Sequence, residues 1–245
     1  MATLSRLARA KRELQPLEQG DLDSLCGLYA IINAVRLVVY PDHILTPGIL
    51  GCLFERGLST LSHKRKLKQT VTHGIDNALW LLMCQAVIAK AETLVERRIA
   101  IRPLVDEDRR WRTRDVVGSI KRAVNHDRPV LICLEGRLDH CSVVVGSSTT
   151  RLYLFDSAGS RWISIASLAA GDRQLNRPHF VAREGAVVIE CRPSKSFRYT
   201  CGMGASPFHV FGTMSGTGHF TAGMRIRAND RHWDLPGALP ADRLP

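Results

Sequence analysis

The cysteines of this chain lack the spacing of the common cysteine-based scaffolds. There are seven, an odd number, and no two of them form a CxxC pair. Several stand inside apolar runs, such as Cys84 in LLMCQAV and Cys133 in VLICLEG. This usage is typical of a reducing compartment. We therefore expect a cytoplasmic protein with neither a disulfide framework nor a zinc ribbon.

Membrane and targeting signals are also missing. No apolar run reaches the length that crosses a bilayer, so we expect no membrane span. The N-terminal sequence MATLSRLARAKRELQ is basic but has no apolar h-region, which argues against a secretory signal and leaves only a leaderless route for export. Within residues 1–14, helical spacing predicts a short basic amphipathic helix with an apolar stripe of Leu4, Leu7, Ala8 and Leu14.

Nucleotide, metal and nucleic-acid signatures are absent as well. The glycines of GTGHFTAG (216–223) do not join a strand to a helix, and there is no GxxxxGK motif. His140 and Cys141 are adjacent, too tight for a usual chelate, and no second pair completes a metal site. There is no zinc-finger spacing or aromatic-interleaved RNA-binding motif. We expect no cofactor and no metal.

Negative charge is scarce relative to positive charge. The formal net charge is +11, with basic clusters at Lys64–Lys68, Arg97–Arg98 and Arg109–Arg114. Such a balance attracts acidic partners, including nucleic acid, anionic membranes and acidic proteins. The same clusters are also what solvated faces and loops contain, so both interpretations stay open.

The 245 residues are 45% hydrophobic, enough to bury a sizeable core. Helical periodicity comes first in the chain and strand-like runs come second, which predicts an α+β fold. We expect helices over Cys26–Val39, Pro47–Arg56, Asp76–Ala91 and Arg114–His126, a basic connector over Ser59–Thr72, and a short helix over Ser164–Ala170. Predicted strands are Arg98–Pro103, Val130–Leu134, Cys141–Gly146, Arg151–Phe155 and Val187–Cys191. Residues 15–192 form the predicted domain, and residues 193–245 a Gly-rich, loosely ordered extension.

The stretch QGDLDSLCGLYAIINAV, Gln19 to Val35, contains the strongest candidate for chemistry. Cys26 opens its helix, where backbone N–H groups and the helix dipole favour the thiolate, the nucleophilic form of cysteine. Ser24 or Asp23 can cap that helix. A small apolar cysteine in an ordinary core helix is the alternative interpretation.

A thiolate nucleophile needs a base, an orienting acceptor and an oxyanion donor, and the sequence offers one candidate for each. His140 begins the CSVVVG strand, Asp156 ends the next strand in RLYLFDSAG, and Gln19 precedes Cys26 in a loop. The two strands form a predicted hairpin. If Gly146 pairs with Arg151, Asp156 points away from His140, and a shift of one residue makes the two oppose each other. We therefore predict a turn with an odd number of residues, or a bulge, between these strands.

The order Gln19, Cys26, His140, Asp156, each in this context, resembles that of papain-like cysteine peptidases. The local sequences, with Cys-Gly opening an apolar helix and then DHCSVVVG and LYLFDS, look most like bacterial peptidase domains that cleave double-glycine leaders in bacteriocin exporters, and like their stand-alone relatives. Leu25 departs from that pattern, because those domains usually carry an acidic residue directly before the nucleophile. The likeness spans roughly residues 15–192.

This resemblance implies a papain-like fold with an N-terminal helical lobe whose nucleophile helix packs on an antiparallel sheet. Cys26 matches the nucleophile, His140 the general base and acid, Asp156 the imidazole-orienting group, and Gln19 the oxyanion donor. The implied activity is hydrolysis of a peptide or isopeptide bond in a protein, a ubiquitin-like segment or a leader peptide, within a bacterial cell or as an effector. Acyl transfer or deamidation on the same scaffold, and a non-catalytic basic binding module, are the alternatives.

Overall fold

The chain forms six α-helices and seven β-strands within residues 5–106, 110–171 and 177–192, the parts that the computed structural model describes. This confirms the predicted α+β class, whereas the predicted extension over 193–245 lies outside the described residues. The helices are α1 (Arg6–Glu13), α2 (Cys26–Val39), α3 (Pro47–His63), α4 (Leu67–His73), α5 (Asn77–Val95) and α6 (Thr113–Asn125). The strands are β1 (Arg98–Pro103), β2 (Val130–Gly136), β3 (His140–Ser147), β4 (Arg151–Phe155), β5 (Trp162–Ser164), β6 (Leu168–Ala169) and β7 (His179–Arg192).

All seven strands join one sheet in the order β1-β7-β2-β3-β4-β5, with the short β6 beside β7. Neighbouring strands are antiparallel except β6, which runs parallel to β7. The β-branched runs of β2 and β3 are buried at the centre of this sheet, as residues that pack on a pleated surface should be. The central strands thus provide a rigid platform for side chains at their ends.

Helix α2 is the buried helix of the core, and its predicted bounds are confirmed. It contacts β3 and α5, and its apolar run leaves few positions in contact with solvent. Two glycines permit this close packing. A Cβ at Gly27 would lie 2.8 Å from the Trp80 ring, and one at Gly57 would lie 2.3 Å from Leu28. Larger residues at either position would therefore push α2 away from its neighbours.

The segment between α3 and α5 differs from its prediction. Ser59–Thr72 is not a connector, because α3 continues to His63 and α4 follows after a short turn. Between the basic residues, α3 and α4 keep positions that face the core: Leu61 of α3 is fully buried and Thr70 of α4 is nearly so. Burial of these positions favours helix where the charge run indicated a loop.

Helix α5 is long and apolar enough, by length and composition, to cross a membrane. The expectation that no apolar run reaches that length was therefore wrong. A single helix of this kind is weak evidence for a span, and a core helix has the same composition. Trp80, Met83 and Val87 of α5 are buried against the rest of the protein.

Two smaller elements also differ from expectation. The region predicted as a short helix over Ser164–Ala170 forms a 3₁₀ turn, Ile165–Ser167, followed by β6. Helix α6 begins at Thr113, one residue before the predicted start, and the Thr113 hydroxyl accepts the Ala170 N–H at 3.0 Å. This bond ties the start of α6 to the strand segment that follows the turn.

Candidate active site

Cys26 is the first residue of α2, as predicted, but neither predicted cap residue caps the helix. The cap position is Leu25, whose side chain accepts no hydrogen bond. The Asp23 carboxylate instead accepts the Leu25 N–H at 2.9 Å, and the Ser24 N–H donates to the Val71 carbonyl at 2.8 Å. These bonds fix the turn before α2, and no side chain competes for its first N–H groups.

The β3–β4 hairpin contains the predicted irregularity. Ser147 pairs with Leu152 and Gly146 with Tyr153, but Val144 pairs with Leu154, so the register shifts by one residue at Val145. Without this bulge, Asp156 would continue opposite Val143, on the face away from His140. With it, the next position opposite Asp156 is that of Ser142, which shares a face with His140. The bulge is confirmed, although His140 lies diagonal to Asp156 and not directly opposite.

His140 and Asp156 are hydrogen-bonded through Nε2 and Oδ1 at 2.7 Å. The other carboxylate oxygen of Asp156 accepts the N–H groups of Ala158 at 3.1 Å and Ser160 at 3.0 Å. The sequence analysis did not predict these two backbone donors. The turn-forming sequence DSAGS that begins at Asp156 was the available signal, because Asp side chains commonly bond the backbone two residues ahead.

The Cys26 side chain lies close enough to the His140 ring to act on its protonation. Burial opposes protonation of the ring, but the hydrogen bonds and charges of Asp156 and Cys26 outweigh it and raise the pKa of His140 to about 10. The backbone N–H of Cys141 also donates to Cys26 Sγ, at 3.5 Å. The predicted cysteine and histidine are therefore in contact.

Burial also acts on Asp156, and it raises the pKa of this carboxyl group. Hydrogen bonds from His140 and the Ser160 N–H, together with the imidazolium charge, act in the opposite direction and prevail, so the pKa is below its usual range. Asp156 is consequently a carboxylate, with every hydrogen bond favouring its charged form.

Gln19 lies in the loop before α2 and lines the same cleft as Cys26. Its backbone N–H donates to the Ser157 carbonyl at 3.0 Å, and its side-chain amide donates to the Asp23 carbonyl. One amide N–H occupies that bond, so the second is the donor available to a bound group. Gln19 is thereby tied to the residue that follows Asp156.

Asn33 holds this loop from beneath. It is fully buried on α2, and its side-chain amide accepts the Leu17 N–H at 2.8 Å and donates to the Leu17 carbonyl at 3.2 Å. The same amide oxygen also accepts an Arg36 guanidinium N–H at 3.1 Å, so Asn33 both links α2 to the loop and makes a local bond.

The cleft around Cys26 has a volume of about 490 Å³. One wall comes from α4 and the start of α5, and the other from the facing ends of β2 and β3. His73 is exposed and lines this cleft, as does Lys66. Across the walls, Asn77 of α5 donates to Glu135 of β2 at 2.9 Å. Helices and sheet therefore meet at the cleft.

The described residues contain one disulfide, a pair that the spacing of the cysteines does not predict. Cys133 of β2 and Cys141 of β3 oppose each other in the ladder and are bonded through their sulfurs. Strand register decides such a pair, and two cysteines eight residues apart give no sign of it in the sequence. Cys26, Cys52 and Cys84 carry free thiols within the described residues.

Trp162 lies at the surface and not in the core. It is 46% exposed and stacks under the Arg151 guanidinium at 4.0 Å. Among the residues that the structure describes, no group of three or more His, Cys, Asp or Glu side chains is placed to hold a metal ion.

Comparison with known proteins adds no relative. No protein-family model matches the chain, and no curated protein matches its sequence. The function of the chain is therefore inferred from the geometry of Cys26, His140, Asp156 and Gln19.

Proposed function

We propose that this protein is a papain-like cysteine hydrolase that cleaves peptide or isopeptide bonds through a thioester on Cys26. The observation that carries the proposal is the contact series from Cys26 to His140 to Asp156 at the opening of a cleft. A nucleophile bonded to a base that is itself oriented by a third group is the general signature of nucleophilic catalysis. The start of the buried helix α2 and the bulge in the β3–β4 hairpin bring these side chains together from three separate parts of the chain.

In the first half of the reaction, His140 is protonated at neutral pH and Cys26 attacks as the thiolate. The Cys26 sulfur forms a bond to the scissile carbonyl carbon, and the carbonyl electrons move to its oxygen. The free amide N–H of Gln19 and the Cys26 backbone N–H would stabilise this oxyanion. His140 then donates its proton to the leaving amine as the C–N bond breaks, which yields a thioester.

In the second half, the now neutral His140 takes a proton from water, and the resulting hydroxide attacks the thioester carbon. The C–S bond breaks, the carboxylic acid leaves, and the thiolate–imidazolium pair is restored. Asp156 keeps the ring oriented throughout. One carboxylate oxygen accepts a hydrogen bond from His140, and two backbone N–H groups of the following turn hold the other oxygen in place. No step requires a cofactor.

The proposed substrate is an extended protein or peptide segment, such as a ubiquitin-like tail or a leader peptide. A cleft between a helical wall and strand ends, with polar groups on both sides, suits a backbone that offers its own N–H and C=O groups. If an amine in place of water reached the thioester, the same residues would transfer the acyl group, and attack on a side-chain amide would give deamidation.

A peptide-like acyloxymethyl ketone probe tests the proposal. We expect it to label Cys26 in the native protein and to lose nearly all labelling in Cys26→Ala and His140→Ala. Cys52→Ala removes an exposed cysteine on α3 that is outside the cleft and should leave labelling unchanged. Labelling that persists in Cys26→Ala would contradict the nucleophile assignment, and release of peptide fragments by the native protein would distinguish hydrolysis from acyl transfer.

A further inference from the structure

The Cys133–Cys141 disulfide stands directly beside the candidate nucleophile. Both cysteines line the same cleft as Cys26. They form the ladder pair next to Leu134–His140, so the disulfide adjoins the histidine along β3. The mechanism proposed above does not use the disulfide, whose S–S bond can be broken and formed again reversibly.

Cys141 connects the disulfide to the nucleophile through its backbone. Its N–H donates to Cys26 Sγ at 3.5 Å, while its side chain is bonded to Cys133. On the far side of Cys133, the pairing of β2 with β7 is irregular, because the register shifts between Ile132 and Leu134. The disulfide therefore adds a covalent link between β2 and β3 at the level where the β2–β7 ladder is interrupted.

We propose that reduction of this disulfide lowers the reactivity of Cys26, so that the Cys133–Cys141 pair is a redox control on the site. The proposal rests on the function proposed for Cys26. The reductant is a dithiol, which attacks the disulfide, transfers two electrons and two protons to the pair, and becomes a disulfide itself. The products are the Cys133 and Cys141 thiols, with no change at Cys26.

The direction of the effect follows from the strand spacing. The Cα atoms of Cys133 and Cys141 are 4.0 Å apart, whereas unlinked pairs of this kind in antiparallel ladders are about 4.5 Å apart or more. Two free thiols repel each other at bonding distance, so reduction lets β3 move away from β2. The Cys141 N–H then loses its alignment with Cys26 Sγ. A hydrogen bond to a charged sulfur is worth about a tenfold change in reactivity.

The test measures alkylation of each cysteine by iodoacetamide across a dithiothreitol redox series, with the rates resolved by peptide mass spectrometry. Cys26 should react about tenfold more slowly once the pair is reduced. The midpoint of that change should coincide with the loss of the Cys133–Cys141 linkage. Cys52 is exposed on α3 and serves as the internal reference, whose rate should not change. In the double variant Cys133→Ala/Cys141→Ala, Cys26 should react at the slow rate throughout the series.

Each result decides the proposal. A fast Cys26 whose rate ignores the state of the pair contradicts redox control but leaves the nucleophile assignment intact. A Cys26 that reacts no faster than Cys52 in either state contradicts both. A redox step that survives in the double variant assigns the response to another cysteine and overturns the proposal. The titration of the native protein answers the question even if the double variant does not fold.

Discussion

At the scale of single residues, Asp156 is the group on which the chemistry of His140 depends. It is buried, ionised and bonded to backbone N–H groups of its own turn, so it cannot rotate away from the imidazole. The pKa of His140 is raised to about 10 despite burial. The His140 ring is therefore fully protonated at and below pH 6.5, the ordinary histidine pKa, and it loses its proton as the pH rises through about 10.

Replacing Asp156 by Asn should shift the alkaline limb of activity to lower pH. The amide keeps the shape of the carboxylate but removes its charge, so only Cys26 still opposes the effect of burial and the pKa of His140 falls. The imidazolium, which donates the proton to the leaving amine, is then lost at a lower pH. We expect kcat/KM at pH 8 to fall by about 100-fold or more.

The pH profile of kcat/KM and an NMR titration of the His140 ring measure this change independently. Asp115→Asn, on α6 and outside the cleft, is the control and should leave the profile in place. An unchanged alkaline limb in Asp156→Asn would mean that Asp156 does not set the protonation of His140.

At the scale of elements, the sequence was informative where apolar positions mark an element clearly, as along the almost wholly buried α2. The bounds of α2 and β1 and the bulge in the hairpin follow from periodicity and from the need for His140 and Asp156 to share a face. The prediction failed at α4, because charged residues obscure its buried positions. It also did not include the Cys133–Cys141 bond, because pairing between β2 and β3 depends on a register that no local pattern specifies.

The link between α2 and the loop that carries Gln19 yields an element-scale prediction. Asn33→Leu has a similar volume but leaves the N–H and carbonyl of Leu17 without their buried partner. We expect the free energy of unfolding in urea to fall by about 2–4 kcal/mol, the cost of unsatisfied buried groups. Probe labelling of Cys26 should slow as well, because Gln19 lies two residues beyond Leu17.

The control for this change is Asn125→Leu at the exposed end of α6, expected to alter the free energy of unfolding by less than about 0.5 kcal/mol. Equal stabilities of Asn33→Leu and the native protein would show that the loop does not need the amide.

At the scale of the whole molecule, part of the excess positive charge lies next to the cleft. Lys64 and Lys68 are exposed at the junction of α3 and α4, and Lys66 between them lines the cleft wall. A basic rim beside a cleft raises the local concentration of acidic ligands, and salt weakens the effect. This interpretation joins the two alternatives of the sequence, a solvated face and an attractor of acidic partners, at one surface.

Lys64→Glu/Lys68→Glu should therefore weaken the binding of acidic substrates without affecting catalysis. Neither residue lines the cleft, so we expect kcat to be retained, while KM for a peptide with acidic flanking residues rises by about tenfold at low salt. The difference should shrink towards zero at about 1 M salt, where the screening length is about 3 Å. Arg97→Glu/Arg98→Glu makes the same charge change before and at the start of β1, away from the cleft lining, and should change KM by much less. If both double variants raised KM equally, the net charge of the protein and not the basic rim would explain the attraction. A loss of kcat in Lys64→Glu/Lys68→Glu alone would mean that this rim acts on the reacting residues themselves.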